Sequence, residues 1–289
     1  MNKLALSFLL TFFCLAGCKK STEDERNQGT QFRGLESIRG SHGEALDFYY
    51  ENDQLTGFSS PYYGTPQHNI FYNTDEKIKY IVSYVWDSYR TRMASAIFSY
   101  DLNGNVIKVN YKAAFDISVT DPYFGDLANG NIDPEYDSLV YDVNKRIESI
   151  YTLENGSIEN HVKFYYEANK DVPFKLEEYV SERGALVLYD QIVITTNDMD
   201  APYRHLWFLP YARKMERVVL PILFDDPSTY IGIYLSYVNK CITNYKVYND
   251  WGFYNYQNTI FTYHYNSDHT ILTAKKQGNP FDSINYKFR

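Results

Sequence analysis

Beyond about Leu35 the chain alternates apolar and polar residues with a period of two, and Asn, Asp and Gly interrupt the alternation at recurring places. A period of two puts one face of each segment in a core and the other in solvent, the pattern of a half-buried β-strand. The interruptions use residues that tolerate positive φ and close local turns with their side chains, as tight hairpins require. The stretch "FSYDLNGNVIKVNYK", Phe98 to Lys112, is therefore two strands and a turn. Its "DLNGN" also resembles the start of a calcium loop. Such a loop needs an acid at its twelfth position, and counting from Asp101 that position is Lys112.

The same phrase recurs: "IFYNTDEKIKYI" from Ile70, "LVYDVNKRIESI" from Leu139 and "YHYNSDHTILTA" from Tyr263, with looser copies at Phe48 and Phe164. Each runs apolar, any residue, Tyr, then Asp or Asn, with a second Asn or Asp and an aliphatic residue soon after. The pattern places Tyr72, Tyr100, Tyr141, Tyr166 and Tyr265 near strand ends on one face. Most copies lack the turn Gly, and the fifth carries Pro173, which leaves register there less defined. The expected architecture is all-β: a long twisted antiparallel β-meander over 35–289, a curled open sheet or half-barrel, since so many twisted strands do not stay flat. The alternative is a two-sheet β-sandwich.

One segment breaks the period. From Asp198 to about Thr229 the chain holds Pro202, Pro210, Pro221 and Pro227, and Ala212, Met215 and Val219 fall at helical spacing. This short helical or irregular insertion is expected to cap an edge or face of the sheet, with Trp207 and Phe208 in the core. "YLSYVNKCITNY", Tyr234 to Tyr245, reads as the strand that re-enters the sheet.

The N-terminus changes the picture of location. Leu4 to Leu15 is an apolar run behind Lys3, shorter than the about 20 residues a membrane helix needs, and it reads as a signal peptide over 1–17. It ends "LAGC", which resembles the lipobox of bacterial lipoproteins; that resemblance implies cleavage before Cys18 and acylation of its thiol. Residues 18–34 are polar and form a flexible tether. With Cys14 lost and Cys18 lipidated, Cys241 is alone, in a strand pattern that buries it. A net charge of −8 disfavours nucleic acid as a partner. The 30 tyrosines fit a strand-rich chain.

The tyrosine–acid–turn phrase resembles the YD-type repeats of Rhs-like proteins. Over the mature chain, the lipobox, the hairpins and the central insertion resemble an uncharacterised lipoprotein family of Bacteroidota. The resemblance implies a lipid-anchored outer-membrane protein. The acidic group Glu23-Asp24-Glu25 is similar to the export signal of surface-exposed members. It implies no chemistry for any residue.

Catalytic patterns do not emerge. His42, His68, His161, His205, His264 and His269 form no metal-binding spacing, and phosphate loops and nucleophile motifs are missing from the sequence. No metal or cofactor is expected. Tyr123, Phe124, Trp251, Tyr254 and Tyr256 lie in irregular Gly/Asn/Asp-rich stretches, where aromatic rings stack on sugars or other flat faces or fill the core. The sequence thus predicts a non-enzymatic binding or structural module for glycan, peptide or a partner protein. A hydrolase built on a dispersed carboxylate pair is the alternative. The mature protein is expected to start at an acylated Cys18; mass spectrometry of its N-terminal peptide checks this, and an unmodified peptide starting elsewhere contradicts it.

Overall fold

A computed structural model describes residues 35–41, 45–59, 67–86, 91–115, 132–211, 230–249, 257–265, 271–277 and 283–289. Sixteen strands run in chain order: β1 (Leu35–Gly40), β2 (Ala45–Glu51), β3 (Gln54–Ser59), β4 (Gln67–Tyr72), β5 (Ile78–Trp86), β6 (Thr91–Tyr100), β7 (Val106–Phe115) and β8 (Ile132–Tyr141). They continue as β9 (Ile147–Glu154), β10 (Ser157–Tyr166), β11 (Pro173–Glu182), β12 (Ala185–Asp200), β13 (Lys240–Asn249), β14 (Gln257–Tyr265), β15 (Ile271–Lys276) and β16 (Ser283–Phe288). Each pairs antiparallel with its chain neighbours, as the meander reading requires. The sheet is not open, however. β1 pairs with β16, Ile38 opposite Tyr286, and closes a single barrel. Closure leaves neither the free outer strands of a half-barrel nor the two layers of a sandwich.

The repeated turns explain the repeated sequence. At Asp101 the backbone N–H groups of Asn103 and Asn105 donate to the carboxylate at 2.9 and 2.8 Å. Gly104 N donates to Asp101 O at 3.1 Å. Asn73 and Asp142 hold their turns in the same way. The carboxylate of Asp101 thus closes the turn. Where the third copy has Gly104 in the left-handed region (φ 87°), the neighbouring hairpins place Glu76 (60°) and Lys145 (62°) there. Missing glycines therefore strain the turn without changing its form. Pro173 also keeps register, standing opposite Tyr166 beyond a bulge like those of the other copies.

The repeat tyrosines join one hairpin to the next. Tyr50, Tyr72, Tyr100 and Tyr141 stand opposite Leu55, Ile78, Val106 and Ile147, the apolar residues just past their own turns. Tyr72 Oη then donates to Leu55 O at 2.8 Å, Tyr100 to Ile78 O at 2.6 Å, Tyr141 to Val106 O at 2.9 Å and Tyr166 to Ile147 O at 2.9 Å. Tyr50 starts the series on Leu35 O at 2.8 Å. These tyrosines form a course of side chains around one end of the barrel. In the last copy the role passes from Tyr265 to Tyr263, whose hydroxyl reaches Ile242 O at 2.6 Å. Tyr265 is exposed and meets Asn197 Nδ2 at 3.2 Å.

The described parts of the insertion, 201–211 and 230–238, lie inside the barrel rather than over an edge. Tyr203, Leu206, Phe208, Leu209 and Tyr211 are buried, as are Tyr234, Leu235 and Val238 near the end of a 3-10 helix over Tyr230–Tyr237. Their rings meet inward side chains from separate walls: Phe208 lies 5.8 Å from Phe58 on β3, Tyr211 5.5 Å from Phe98 on β6, and Tyr237 6.0 Å from Phe164 on β10. Trp207 packs against the same core, edge-on to Phe98. The sheet resumes at Lys240, so Tyr234 to Tyr237 belong to the plug and not to a strand. The helical pattern at Ala212, Met215 and Val219 lies outside the described residues.

Removing a latch hydroxyl should cost the net contribution of one buried hydrogen bond. Tyr100→Phe is expected to lose about 0.5–1.5 kcal/mol in urea unfolding, and Tyr265→Phe less than about 0.5 kcal/mol. Equal losses would contradict the latch role.

Candidate functional site

The direction of each side chain follows from strand parity, and it divides the barrel sharply. Inward positions carry Ile38, Leu46, Phe58, Ile81, Val109, Ile150, Val162, Leu176 and Ile192, all buried. Outward positions carry Lys108, Lys163, Lys175, Lys246 and Lys287, beside exposed Tyr49, Ile107, Val140 and Ile260. Outward tyrosines take up the lysines: Lys108 Nζ lies 3.8 Å from the Tyr136 ring centre and Lys175 Nζ 3.9 Å from that of Tyr165. A membrane-spanning barrel has the opposite arrangement, an apolar outer band around a polar lumen. A lipid-facing lysine costs roughly 2–4 kcal/mol at a bilayer midplane and about 0–1 kcal/mol near the interfaces. The described wall is therefore built for water outside and for a packed core inside.

A polar belt interrupts the core. His68 on β4 is buried, stacks on Phe58 at 4.3 Å and shares a 2.6 Å hydrogen bond through Nδ1 with Ser83 on β5. Its Nε2 meets no polar atom among the described residues. Burial pushes the imidazole down to about 3, so it is neutral. Four strands further round the wall, Asp137 on β8 accepts from Tyr111 Oη and Thr152 Oγ1, both at 2.7 Å. Next to these, Glu178 and Asp190 face each other in register on β11 and β12, and Asn160 donates to Glu178. Both carboxylates are buried and take part in further interactions.

Of the two adjacent acids on β11, Glu178 points inward and Glu177 outward. Burial works against ionising Glu177, but bonds from Lys175, Tyr165 and Tyr179 outweigh it and bring the carboxyl down to about 2. Lys175 Nζ is 2.7 Å away and Tyr179 Oη 2.7 Å. Beside it His161 stacks between Tyr151 (4.3 Å) and Tyr179 (5.5 Å). The rings face one another and so turn their edges to solvent. Cys241 is buried and free, as its strand position implied.

The candidate ligand residues Tyr123, Phe124, Trp251, Tyr254 and Tyr256 and the lipidation site Cys18 lie outside the described residues. The strands that flank the aromatic stretches are described. β7 ends and β8 begins at the barrel end opposite the tyrosine course, and so do β13 and β14. Leu35 starts at the tyrosine end, beside Phe288. The belt residues His68, Ser83, Asp137 and Asp190 escaped the sequence reading. Their one signal is a polar residue at an inward parity, as Asp137 shows two positions from Leu139 and four from Tyr141.

No family model and no curated protein matches the chain. Among solved structures, it is similar to a porin-like protein from Bacteroides uniformis at 11% identity and TM-score 0.44, over 90% of this chain and 98% of that one. A porin-like protein from Bacteroides vulgatus matches at 7% identity and TM-score 0.36, over 88% and 97%. A TcdB2-TccC3-Cdc42 structure matches at 13% identity and TM-score 0.28, over 81% of this chain and 12% of that one.

His68 generates a pH prediction. Its folded pKa lies below the unfolded value near 6.5, so on acidification the unfolded chain takes up a proton that the native barrel refuses. Its contribution is fully present above about pH 6.5 and is lost toward about pH 3, at roughly 1.4 kcal/mol per unit. His205, lowered to about 4 by burial and then by Arg204, and His161 add to the same trend. His68→Gln should reduce the slope of unfolding free energy between pH 6.5 and 5 by about one proton. An unchanged slope would contradict a neutral buried His68.

Proposed function

We propose that this chain is a lipid-anchored outer-membrane module whose barrel sits in water and binds a glycan, a peptide or a partner protein without catalysing a reaction. The observation that carries this reading is the side-chain distribution: lysines outside, apolar residues and the plug within. A body of this kind associates with a membrane through an attached anchor, and the "LAGC" at Leu15 to Cys18 supplies one. β1 begins at Leu35 at the tyrosine end, where residues 18–34 join it. The opposite end, at which β7 and β13 lead into the segments with Tyr123, Phe124, Trp251, Tyr254 and Tyr256, is the binding end of this proposal. Surface exposure of the domain belongs to the same proposal.

The non-enzymatic reading draws support from the engagement of the ionisable groups. Asp101 and Asp142 close turns, Asp137 accepts from Tyr111 and Thr152, and Glu177 is held by Lys175 and two tyrosines. The hydrolase alternative rests on one observation, the register of Glu178 opposite Asp190. Both are at most 2% exposed, which places them away from a polymeric substrate.

Two measurements test the proposal. A chain exported without Cys18 is expected in the soluble fraction; recovery only with detergent would contradict the water-exposed barrel. On glycan and peptide arrays, Trp251→Ala and Tyr254→Ala are expected to lose binding while keeping thermal stability. Equal loss of stability would make those residues core, and release of product from any arrayed polymer would overturn the non-enzyme reading.

A further inference from the structure

The hairpins β6–β7 and β8–β9 lie side by side at the tyrosine end, because β7 pairs with β8. Leu102 and Val143 occupy equivalent places at their apices, one residue after the Asp that closes each turn. Both side chains are bare: Leu102 is 107% exposed and Val143 98%. The turns on either side, at 73–77 and 167–172, are described residues and leave the two apices uncovered. The fold does not ask for an aliphatic residue here. The turn is made by its first side chain and by the amides at its third and fifth places, and β4–β5 forms it with Thr74 at the apex. Just below the apices, Ile107 stands in the bulge of β7 and Val140 on the outward side of β8, at 40% and 41% exposure. Aliphatic side chains of two neighbouring hairpins thus share one sector of the rim.

This sector lies half-way round the ring of strands from the β1–β16 seam, where residues 18–34 join the barrel. That segment can span at most about 60 Å, more than the roughly 33 Å rise of a ten-residue strand such as β6. A lipid on Cys18 therefore holds the barrel near a bilayer without choosing the side that meets it. The choice falls to the surface of the barrel.

We infer that the tyrosine end seats on a lipid bilayer through Leu102 and Val143, with Ile107 and Val140 at the level of the headgroups. The inference rests on the anchor proposed above. A side chain presented on a closed turn is already positioned, so little ordering opposes its transfer out of water. Lysines cost little near a membrane interface, so a shallow seat agrees with a wall built for water. A second copy is the poorer occupant. A stable pair needs about 20–30 residues on each side, and this sector offers Leu102, Ile107, Val140 and Val143. A bilayer needs no such area, because the anchor already supplies a high local concentration. Exposed acids and cations alternate around the rim at Glu76, Lys145, Glu167 and Lys170, so the lipid that fits is zwitterionic.

The test uses the mature chain coupled through Cys18 to a maleimide lipid in phosphatidylcholine vesicles; Cys241 is buried and does not compete. Tryptophan fluorescence is read against acyl-brominated phosphatidylcholine in Leu102→Trp, Val143→Trp and, at the opposite end, Ile158→Trp. Relative to the unaltered protein, quenching is expected to be several-fold stronger in the two apex variants than in Ile158→Trp. Adding Val143→Asp to Leu102→Trp should remove most of that quenching and leave Tm unchanged. Equal quenching in all three variants, or none at either apex, overturns the seat and leaves the anchor in place. A fall in Tm would make the apex structural and would also contradict the seat. A dimer that Leu102→Asp dissolves would overturn the choice of occupant. An unmodified Cys18 in the native N-terminal peptide defeats the anchor, and the seat with it.

Discussion

A barrel of sixteen strands encloses more space than its own inward side chains can fill, and this constraint governs the rest of the molecule. About eight strands is the size at which side chains alone pack the interior; barrels of this larger size hold a channel or a plug. Here the inward residues are aliphatic and aromatic, so an empty lumen would expose them to water at roughly 25 cal/mol per Å². The insertion between β12 and β13 removes that cost by bringing Tyr203, Phe208, Leu209, Tyr211 and Leu235 into the middle. Its aromatic rings are long enough to touch β3, β6 and β10 from the centre.

The tyrosine series answers a second difficulty of the same architecture. Ladder hydrogen bonds hold neighbouring strands, but they allow a twisted meander to slide or splay at its ends. Each latch ties the end of one strand to a carbonyl on the neighbouring strand of the preceding hairpin. The aromatic body of the side chain packs on the core and its hydroxyl satisfies a carbonyl, a combination Phe or Ser cannot supply. Outside, tyrosine has a different use, as a surface on which lysines rest. The abundance of tyrosine thus reflects two faces of one sheet, and the water-facing one sets this barrel apart from a membrane-spanning one.

Much of this was legible in the sequence. Asn73, Asp101 and Asp142 announced the turns, and the alternation around them announced the strands, because both are local effects. Trp207 and Phe208 were legible as core. Closure was not, since Ile38 and Tyr286 meet across nearly the whole chain and nothing in β1 or β16 marks them as partners. Without closure an insertion can only be read as a cover, which is why its place inside came from the structure. The choice of Tyr263 over Tyr265 turned on where the last hairpin meets Ile242, also a non-local fact. The buried His68–Ser83 and Glu178–Asp190 pairs were hidden because polar residues at inward parity resemble ordinary strand variation.

The central claim is that the meander closes around its insertion. Amide hydrogen exchange along the β1–β16 seam tests it most directly. A closed barrel protects the amides of Ile38, Arg39, Asn285 and Tyr286 to the same degree as those of Val162 and Lys163 in the middle of β10. Fast exchange along β1 and β16, with β10 still protected, would mean that the sheet is open and that the account given for its filled interior is wrong.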